Sequence, residues 1–408
     1  MIKRSTIFVL LACLLFGWIG QMAQARDITV AWQSLWSESY DLSRDRFLQE
    51  TQNFEGDATC CEAGAIAVPS KTDTDLTVDW WFLPATKEHR NLVIVSSGVH
   101  GVEGYVGAAM QNLMLKHVIP HQDRSQVAYL FLHAVNPWGF RHGRRVTENN
   151  VDLNRNMSLK NELYETGNSA YDQLQEFLNP KEPVDLSIAG HSVFAARLVS
   201  LSARYGSSFV RQATLGGQYR HRHGIYFGGD KREPQLDGLQ SLLLKTMEPY
   251  RNVLHVDFHT GYGRRAHLHL IANKPRDLES KKVRKAVFFD YPLDVATDDD
   301  SFYQVSGDMT VYLEELVPVE KTANAICFEY GTIGNVGTLG TFGSISSLRR
   351  MVLENQGSHH GYASESDREV ISRRIAELYN PSDDCYRQTI VDRTMAQLPM
   401  FLERFAGQ

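Results

Sequence analysis

The chain has 408 residues and a formal net charge of −6, with 42 Lys and Arg against 48 Asp and Glu. No block of Lys and Arg forms the basic footprint of a nucleic-acid-binding surface, and no internal repeat, heptad run or low-complexity linker divides the chain. The length exceeds that of a typical domain but suits a large α/β enzyme folded as one unit.

Residues 1–25 have the anatomy of a secretory signal. Lys3 and Arg4 form a positive start, Ile7 to Ile19 an apolar run, and Ala23-Gln24-Ala25 a small-x-small cleavage pattern. The apolar run is shorter than the roughly 20 residues of a membrane span, and no other segment approaches that length. The expected organisation is a signal peptide over 1–25 and one catalytic domain over 26–408, exported to a periplasm or outside the cell, with no stable membrane span after cleavage. An alternative takes Leu10-Leu11-Ala12-Cys13 as a lipid-attachment box, which leaves Leu14 to Ile19 on the processed protein. Export also bears on Cys60, Cys61, Cys327 and Cys385. One of the adjacent pair can bridge to Cys385 in an oxidising compartment, and buried free thiols are the equal alternative.

Short β-type runs then alternate with helical stretches. Thr77 to Phe82 and Leu92 to Ser97 read as strands, the second apolar throughout as in a strand buried on both faces. It ends at Ser97-Gly98-Val99-His100, and a helix is expected from about Gly107 to Lys116. Val127 to Ala134 is the next strand, ending in Asn136-Pro137-Trp138-Gly139 before a loop rich in Arg and Asn. Val253 to Phe258 and Ala325 to Phe328 are two further strands. From Asp367 onward the pattern turns helical, with apolar residues three and four apart over Arg368 to Tyr379 and Cys385 to Phe405. Lys71 to Asp75 and Gln356 to Ser364 read as polar loops. The pattern predicts an α/β fold: a single domain with a central mixed, largely parallel β-sheet covered by helices on both faces.

Chemistry gathers where these strands end. His100-Gly-Val-Glu103 follows one, His259 is expected just past another, and Glu329 near the end of a third. Two imidazoles and a carboxylate are a common ligand set for catalytic zinc, leaving the fourth position for water. Glu329 supplies a carboxylate able to take that water's proton. Open α/β sheets bind ligands at the carboxyl ends of their strands, so the shared position gives the three segments more weight together than any has alone. A ligating imidazole usually donates its other N–H to a carboxylate, and Asp152 is a candidate partner for His100. Asp257 is a second carboxylate that can instead serve hydroxyl or backbone groups. Cys327, two residues before Glu329, faces the same side of its strand. His267 and His269 share a strand face but lack a third ligand, and His133, His142 and His255 read as surface or packed histidines. Gly190-His191-Ser192 lacks the second glycine of a nucleophile elbow, since Phe194 occupies that place.

The order His-x-x-Glu, Asn-Pro-x-Gly, Val-Asp-Leu-Asn-Arg-Asn, His, then Glu resembles the zinc carboxypeptidase superfamily, carboxypeptidase A type, from about Asn91 to Gly334. The wording of the motifs is similar to an uncharacterised bacterial branch related to the carboxypeptidases and to the aspartoacylase/succinylglutamate desuccinylase-like deacylases. The resemblance implies one Zn2+ bound by His100, Glu103 and His259, with Asp152 orienting His100 and Glu329 as general base toward zinc-bound water. It implies Arg145, or failing it Arg144, as the arginine that polarises the scissile carbonyl, and Asn154 with Arg155 as the grip on a terminal carboxylate. The family tyrosine that closes over substrate has two candidates, Tyr291 and Tyr303. The function expected is an exported zinc metallohydrolase cleaving an amide near a free carboxylate, a metallocarboxypeptidase acting on peptides. A zinc deacylase or amidase acting on N-acyl amino acids or small amides is the alternative, motivated by the short loop after Arg145 and by the long stretch from Met157 to Arg251 with Tyr219, His221, His223, Tyr226 and Phe227. A catalytically silent peptide-binding module is the alternative of another class.

Overall fold

The computed structural model describes residues 30–54, 61–295, 306–334 and 338–408. The signal segment, Cys60 and Tyr303 lie outside the described residues, and residues 32–408 form one unit. Its strands are β1 (Glu62–Ala67), β2 (Thr77–Leu83), β3 (Asn91–Ser97), β4 (Val127–His133), β5 (Asn252–Gly261), β6 (Leu268–Ala272), β7 (Leu293–Val295) and β8 (Thr322–Gly331). Its helices are α1 (Tyr40–Gln52), α2 (Gly104–Leu113), α3 (Pro137–Arg141), α4 (Ser169–Leu178), α5 (Ile188–Tyr205), α6 (Ser207–Leu215), α7 (Gln235–Met247), α8 (Leu278–Val287), α9 (Met309–Leu316), α10 (Thr338–His360), α11 (Glu365–Tyr379) and α12 (Asp384–Ala406).

The strands form one mixed sheet in the order β1-β2-β4-β3-β5-β8-β6-β7. The four central strands, β4, β3, β5 and β8, run parallel, while β2 and β6 flank them antiparallel. β3, β4 and β5 are buried along their whole length, which is why they read as continuous apolar runs. On one face Ile94, Leu132, Val253 and Ala325 pack against Leu239 and Leu243 of α7 and Met309 and Leu313 of α9. On the other, α2 approaches Ser97 and Phe258 so closely that position 107 has no room for a Cβ. There Phe328 also meets Phe401 of α12 at 6.3 Å between ring centroids. Each fully buried side chain of this size stabilises the fold by roughly 1.5–3 kcal/mol.

The predicted α/β architecture is the one observed, with helices on both faces of the sheet. Several boundaries differ from those expected. The helix after β3 begins at Gly104 rather than Gly107 and continues beyond Leu113 as a π-helical turn over Met114–Val118. Glycine is a poor helix former, but the Phe140 ring lies where a side chain at 104 would stand, so packing overrides propensity. The polar stretch from Gln356 is helical as far as His360, the end of α10. His259 and Glu329 lie inside β5 and β8 rather than past their ends, because the ladder runs on through His259↔Glu329 to Gly261↔Gly331. Backbone pairing does not require apolar side chains, so the strands outlast their apolar runs. No helix among the described residues is long and apolar enough to cross a membrane.

The topology fixes where a ligand belongs. From β3 the chain crosses through α2 to β4 on one side, while β5 lies on the other side of β3. The strand order therefore reverses between β3 and β5, and the crevice at their carboxyl ends is the favoured binding position.

Candidate metal centre

His100 leaves β3 in extended conformation, and Gly101–Glu103 close a 3-10 turn that leads into α2. The turn is tied to the following loop, because Gly101 N donates to Arg145 O at 3.2 Å and Val102 N to Arg144 O at 2.9 Å. Gly101 meets the Gly139 and Phe140 backbone so closely that a Cβ would overlap it. His100 and Glu103 are thus set at the switch point by backbone contacts, and β5 brings His259 to them.

His100 Nδ1 stands 2.8 Å from Glu103 Oε1, His259 Nδ1 stands 2.9 Å from Glu103 Oε2, and the two Nδ1 atoms are 3.2 Å apart. The three residues are 4, 1 and 3 % exposed. Zinc with nitrogen and oxygen ligands at about 2.0–2.2 Å spaces tetrahedral donors roughly 3.3 Å apart, close to these separations. Among the described residues this is the one group of three or more His, Cys, Asp or Glu side chains with ligand atoms so close together.

The charge balance points the same way. The carboxylates of Glu103, Asp152, Asp257 and Glu329 are all buried, and the Arg145 guanidinium reaches two of them, Glu103 and Asp152. Its Nε donates to Asp152 Oδ2 at 3.1 Å and Nη1 to Glu103 Oε1 at 3.2 Å, and Nη2 lies 2.6 Å from His100 Nε2. Burial opposes ionisation of Asp152, yet Arg145 and His100 hold its carboxyl well below the usual range. Burial likewise opposes a charged His259, yet Asp257 and Glu103 hold its imidazolium well above the ordinary value. The surroundings favour positive charge among the three donors, and a divalent cation meets that demand.

Asp152 Oδ1 lies 3.2 Å from His100 Nε2, a nitrogen it shares with Arg145. Asp257 takes the corresponding place for His259, accepting from Nε2 at 2.7 Å. Ser96 Oγ donates to the other oxygen of Asp257 at 2.5 Å and lies 2.7 Å from His255 Nε2. Burial pushes the His255 imidazole down to about 4, so it is neutral. In the sequence alone Asp257 has no definite partner and His255 reads as a surface or packed histidine. The available signal was His255-x-Asp257-x-His259, since residues two apart on a strand share a face.

Glu329 pairs with His259 across the ladder. Its Oε1 accepts from Tyr262 N at 2.8 Å, and Cys327 Sγ donates toward Oε2 at 3.7 Å. Burial and the nearby Glu103 charge push its carboxyl up to about 7. Two tyrosines flank the centre. Arg145 and Arg155 lie 5.6 and 5.8 Å from the Tyr226 ring, and Tyr379 is held beside Thr260, whose Oγ1 donates to Tyr379 O at 2.6 Å. Both hydroxyls reach Met351 Sδ, at 3.6 and 3.0 Å. Tyr379 escaped sequence reasoning because it arrives from α11, far along the chain.

Other expected residues stand apart from the three ligands. Arg144 pairs with Glu354 of α10. Arg155 is buried, with Nη1 and Nη2 on the carbonyl oxygens of Asn154 and Leu215 at 2.7 and 2.8 Å. Asn154 Oδ1 accepts from Met309 N at 2.9 Å. Tyr291 donates to Leu268 O at 2.6 Å, a packing role. Ser192 lies within α5 and donates to Ile188 O, so it has no strand-to-helix elbow. The His267 and His269 rings are 6.1 Å apart, and His269 Nε2 accepts from Arg264 N. Cys327 and Cys385 carry free thiols.

A family model described as "Protein of unknown function (DUF2817)" matches residues 36–393. No curated protein matches the chain significantly. Among solved structures, bovine thrombin-activatable fibrinolysis inhibitor in complex with tick carboxypeptidase inhibitor is 11 % identical, over 80 % of this chain and 97 % of that one, with a TM-score of 0.44. Carboxypeptidase A from Helicoverpa armigera is 11 % identical over 80 % of this chain and 74 % of that one, with a TM-score of 0.42. The metallo-carboxypeptidase from Pseudomonas aeruginosa is 11 % identical over 78 % of this chain and 67 % of that one, with a TM-score of 0.38.

Proposed function

We propose that this chain, which belongs to the family described as a protein of unknown function (DUF2817), is a zinc-dependent hydrolase that cleaves an amide near a free carboxylate, most simply a carboxypeptidase. The observation that carries this reading is the buried meeting of His100, Glu103 and His259, with Glu329 beside His259 in the ladder. Zinc bound by the three residues supplies a Lewis acid for a carbonyl oxygen and lowers the pKa of water toward neutrality.

This chain's residues do the rest. Glu329, poised near pH 7, takes a proton from the attacking water and returns it to the leaving nitrogen. The Tyr262 N–H holds Oε1, and Oε2, toward which the weak Cys327 S–H donates at 3.7 Å, exchanges the proton. Arg145 keeps a permanent positive charge beside the ligands and stabilises the oxyanion that develops on the carbonyl. Asn154 and Arg155 are the candidate grip on the substrate carboxylate. For Arg155 that role requires exchanging its two carbonyl contacts for the substrate, which a bidentate fork can do.

The second reading, a deacylase acting on N-acyl amino acids, is favoured by the near-complete burial of the ligands and by Tyr226 and Tyr379 at their sides. Both readings are tested together. Purified protein is assayed for bound metal by mass spectrometry, then for hydrolysis of short peptides and of N-acyl amino acids with and without chelator. Chelator-sensitive release of C-terminal residues supports the carboxypeptidase, and strict preference for N-acyl amino acids supports the deacylase. Protein that holds no stoichiometric divalent metal overturns both.

A further inference from the structure

Behind His259, on the side away from the other two ligands, a continuous polar chain runs through the interior of the sheet. His255, Asp257 and His259 alternate along one face of β5, and Ser96 of β3 stands directly opposite Asp257 in the parallel ladder. On the far side Asp257 pairs with Cys327 of β8. Ser96, His255 and Asp257 are all 0 % exposed, next to the apolar core that Leu92, Ile94, Val253 and Ala325 form on this face. Buried polar groups cost stability unless they are paired, and three together on adjacent strands call for a purpose beyond packing.

The direction of each hydrogen bond follows from the chemistry of the groups. A carboxylate only accepts, so Ser96 Oγ–H is committed to Asp257 Oδ1 at 2.5 Å. The serine oxygen then accepts from His255 Nε2–H at 2.7 Å. This makes His255 Nδ1 the bare nitrogen, and it is the atom of that ring without a hydrogen-bond partner. At the other end Asp257 Oδ2 accepts from His259 Nε2–H at 2.7 Å, which leaves His259 Nδ1 turned toward Glu103 and His100.

We infer that Ser96 and His255 are positioning residues for the metal centre: the chain His255–Ser96–Asp257 locks the ring of His259 in the tautomer and orientation that present Nδ1 as a ligand. Asp257 alone can swing about its own side-chain bonds. Ser96 pins its second oxygen, and His255 pins the serine hydroxyl by occupying its lone pair. Outer-shell partners of this kind typically contribute 10–100-fold in metal affinity.

The inference rests on the zinc reading of the site, and the experiment separates the two. Zinc affinity of the full chain is measured by competition with a chromophoric chelator, and the visible spectrum of the cobalt-loaded protein reports ligand geometry. Ser96→Ala is expected to weaken zinc binding about 10-fold and to shift the cobalt bands, and Ser96→Thr, which keeps the hydroxyl on a β-branched side chain suited to a strand, restores both. His255→Gln, which still offers an N–H to Ser96, is expected to bind like wild type, whereas His255→Leu weakens binding as Ser96→Ala does. Melting of the metal-free variants monitors folding. Wild-type affinity and spectrum in Ser96→Ala and His255→Leu overturn the inference and leave the zinc reading intact. A loss in Ser96→Ala that Ser96→Thr does not restore assigns Ser96 to packing and also overturns it. A wild type that binds no zinc removes the reading beneath it.

Discussion

Glu329 and Cys327 occupy the same face of β8, two residues apart, and both are buried among carboxylates. The carboxyl is pushed up to about 7 by burial and by Glu103, and the thiol well above its usual value by burial and by Glu329 itself. A high thiol pKa makes Cys327 a poor nucleophile, and in the proposed mechanism proton transfer falls to Glu329. Glu329→Gln keeps the size and the contact with Tyr262 N but cannot accept the proton. Its turnover is expected to fall roughly 10²- to 10⁴-fold, with metal content by mass spectrometry unchanged; unaltered turnover would remove Glu329 from the mechanism. At this scale the sequence was informative wherever residues are close along the chain. His100 and Glu103, three apart on a turn, were legible as a pair. Asp257 was visible but ambiguous, since its partner could be any neighbour until Ser96 was seen opposite it. Arg144 and Arg145 are alike in sequence, but adjacent side chains diverge: Arg145 turns to Glu103 while Arg144 goes to Glu354.

Among the elements, the 3-10 turn Gly101–Glu103 is the most exacting, because the backbone of α3 lies where a side chain at 101 would go. Gly101→Ala is expected to push the turn off α3, destabilising the protein by about 1–3 kcal/mol and weakening zinc binding because His100 and Glu103 move with it. Denaturation and chelator competition measure the two effects, and a variant with unchanged zinc affinity would show that the turn does not set the ligands. A second element-scale effect sits under β8, where α9 supplies Glu314 and α8 supplies Arg284, 2.8 Å apart and buried. Burial pushes Glu314 up to about 7 and Arg284 down, so burial outweighs their mutual attraction. A carboxyl raised from 4.5 binds more protons folded than unfolded between these values. Its contribution is therefore complete below pH 4.5 and lost as the pH rises through 7, up to about 3 kcal/mol. Urea titrations at pH 5 and pH 8 should show that loss in wild type and less of it in Glu314→Gln; identical pH dependence in both would assign the trend to other groups.

For the whole molecule, the candidate ligands come from two arms of the sheet, β3 with its turn and β5, and the proposed base from β8. A cation bound at their junction ties these strands together and binds the folded chain only, because the unfolded chain has no preformed site. Zinc at a free concentration 100 times its dissociation constant is expected to stabilise the protein by about 2.7 kcal/mol. Chelation should lower the melting temperature and zinc should restore it, while a melting curve indifferent to zinc would argue against a resident ion at this junction.

Read alone, the chain was enough to show the α/β class, the central parallel strands and the pairing of His100 with Glu103 on one turn. Those signals are local: a buried parallel strand reads as an apolar run, and a motif on a turn reads as a spacing. Tertiary structure decided the rest. It placed His259 and Glu329 inside their strands, brought Tyr379 from α11 and Tyr226 from a distant loop to the same centre, and set Ser96 against Asp257. None of these pairings has a sequence signature, because each joins residues that only the sheet register and the closure of the helices over it make neighbours.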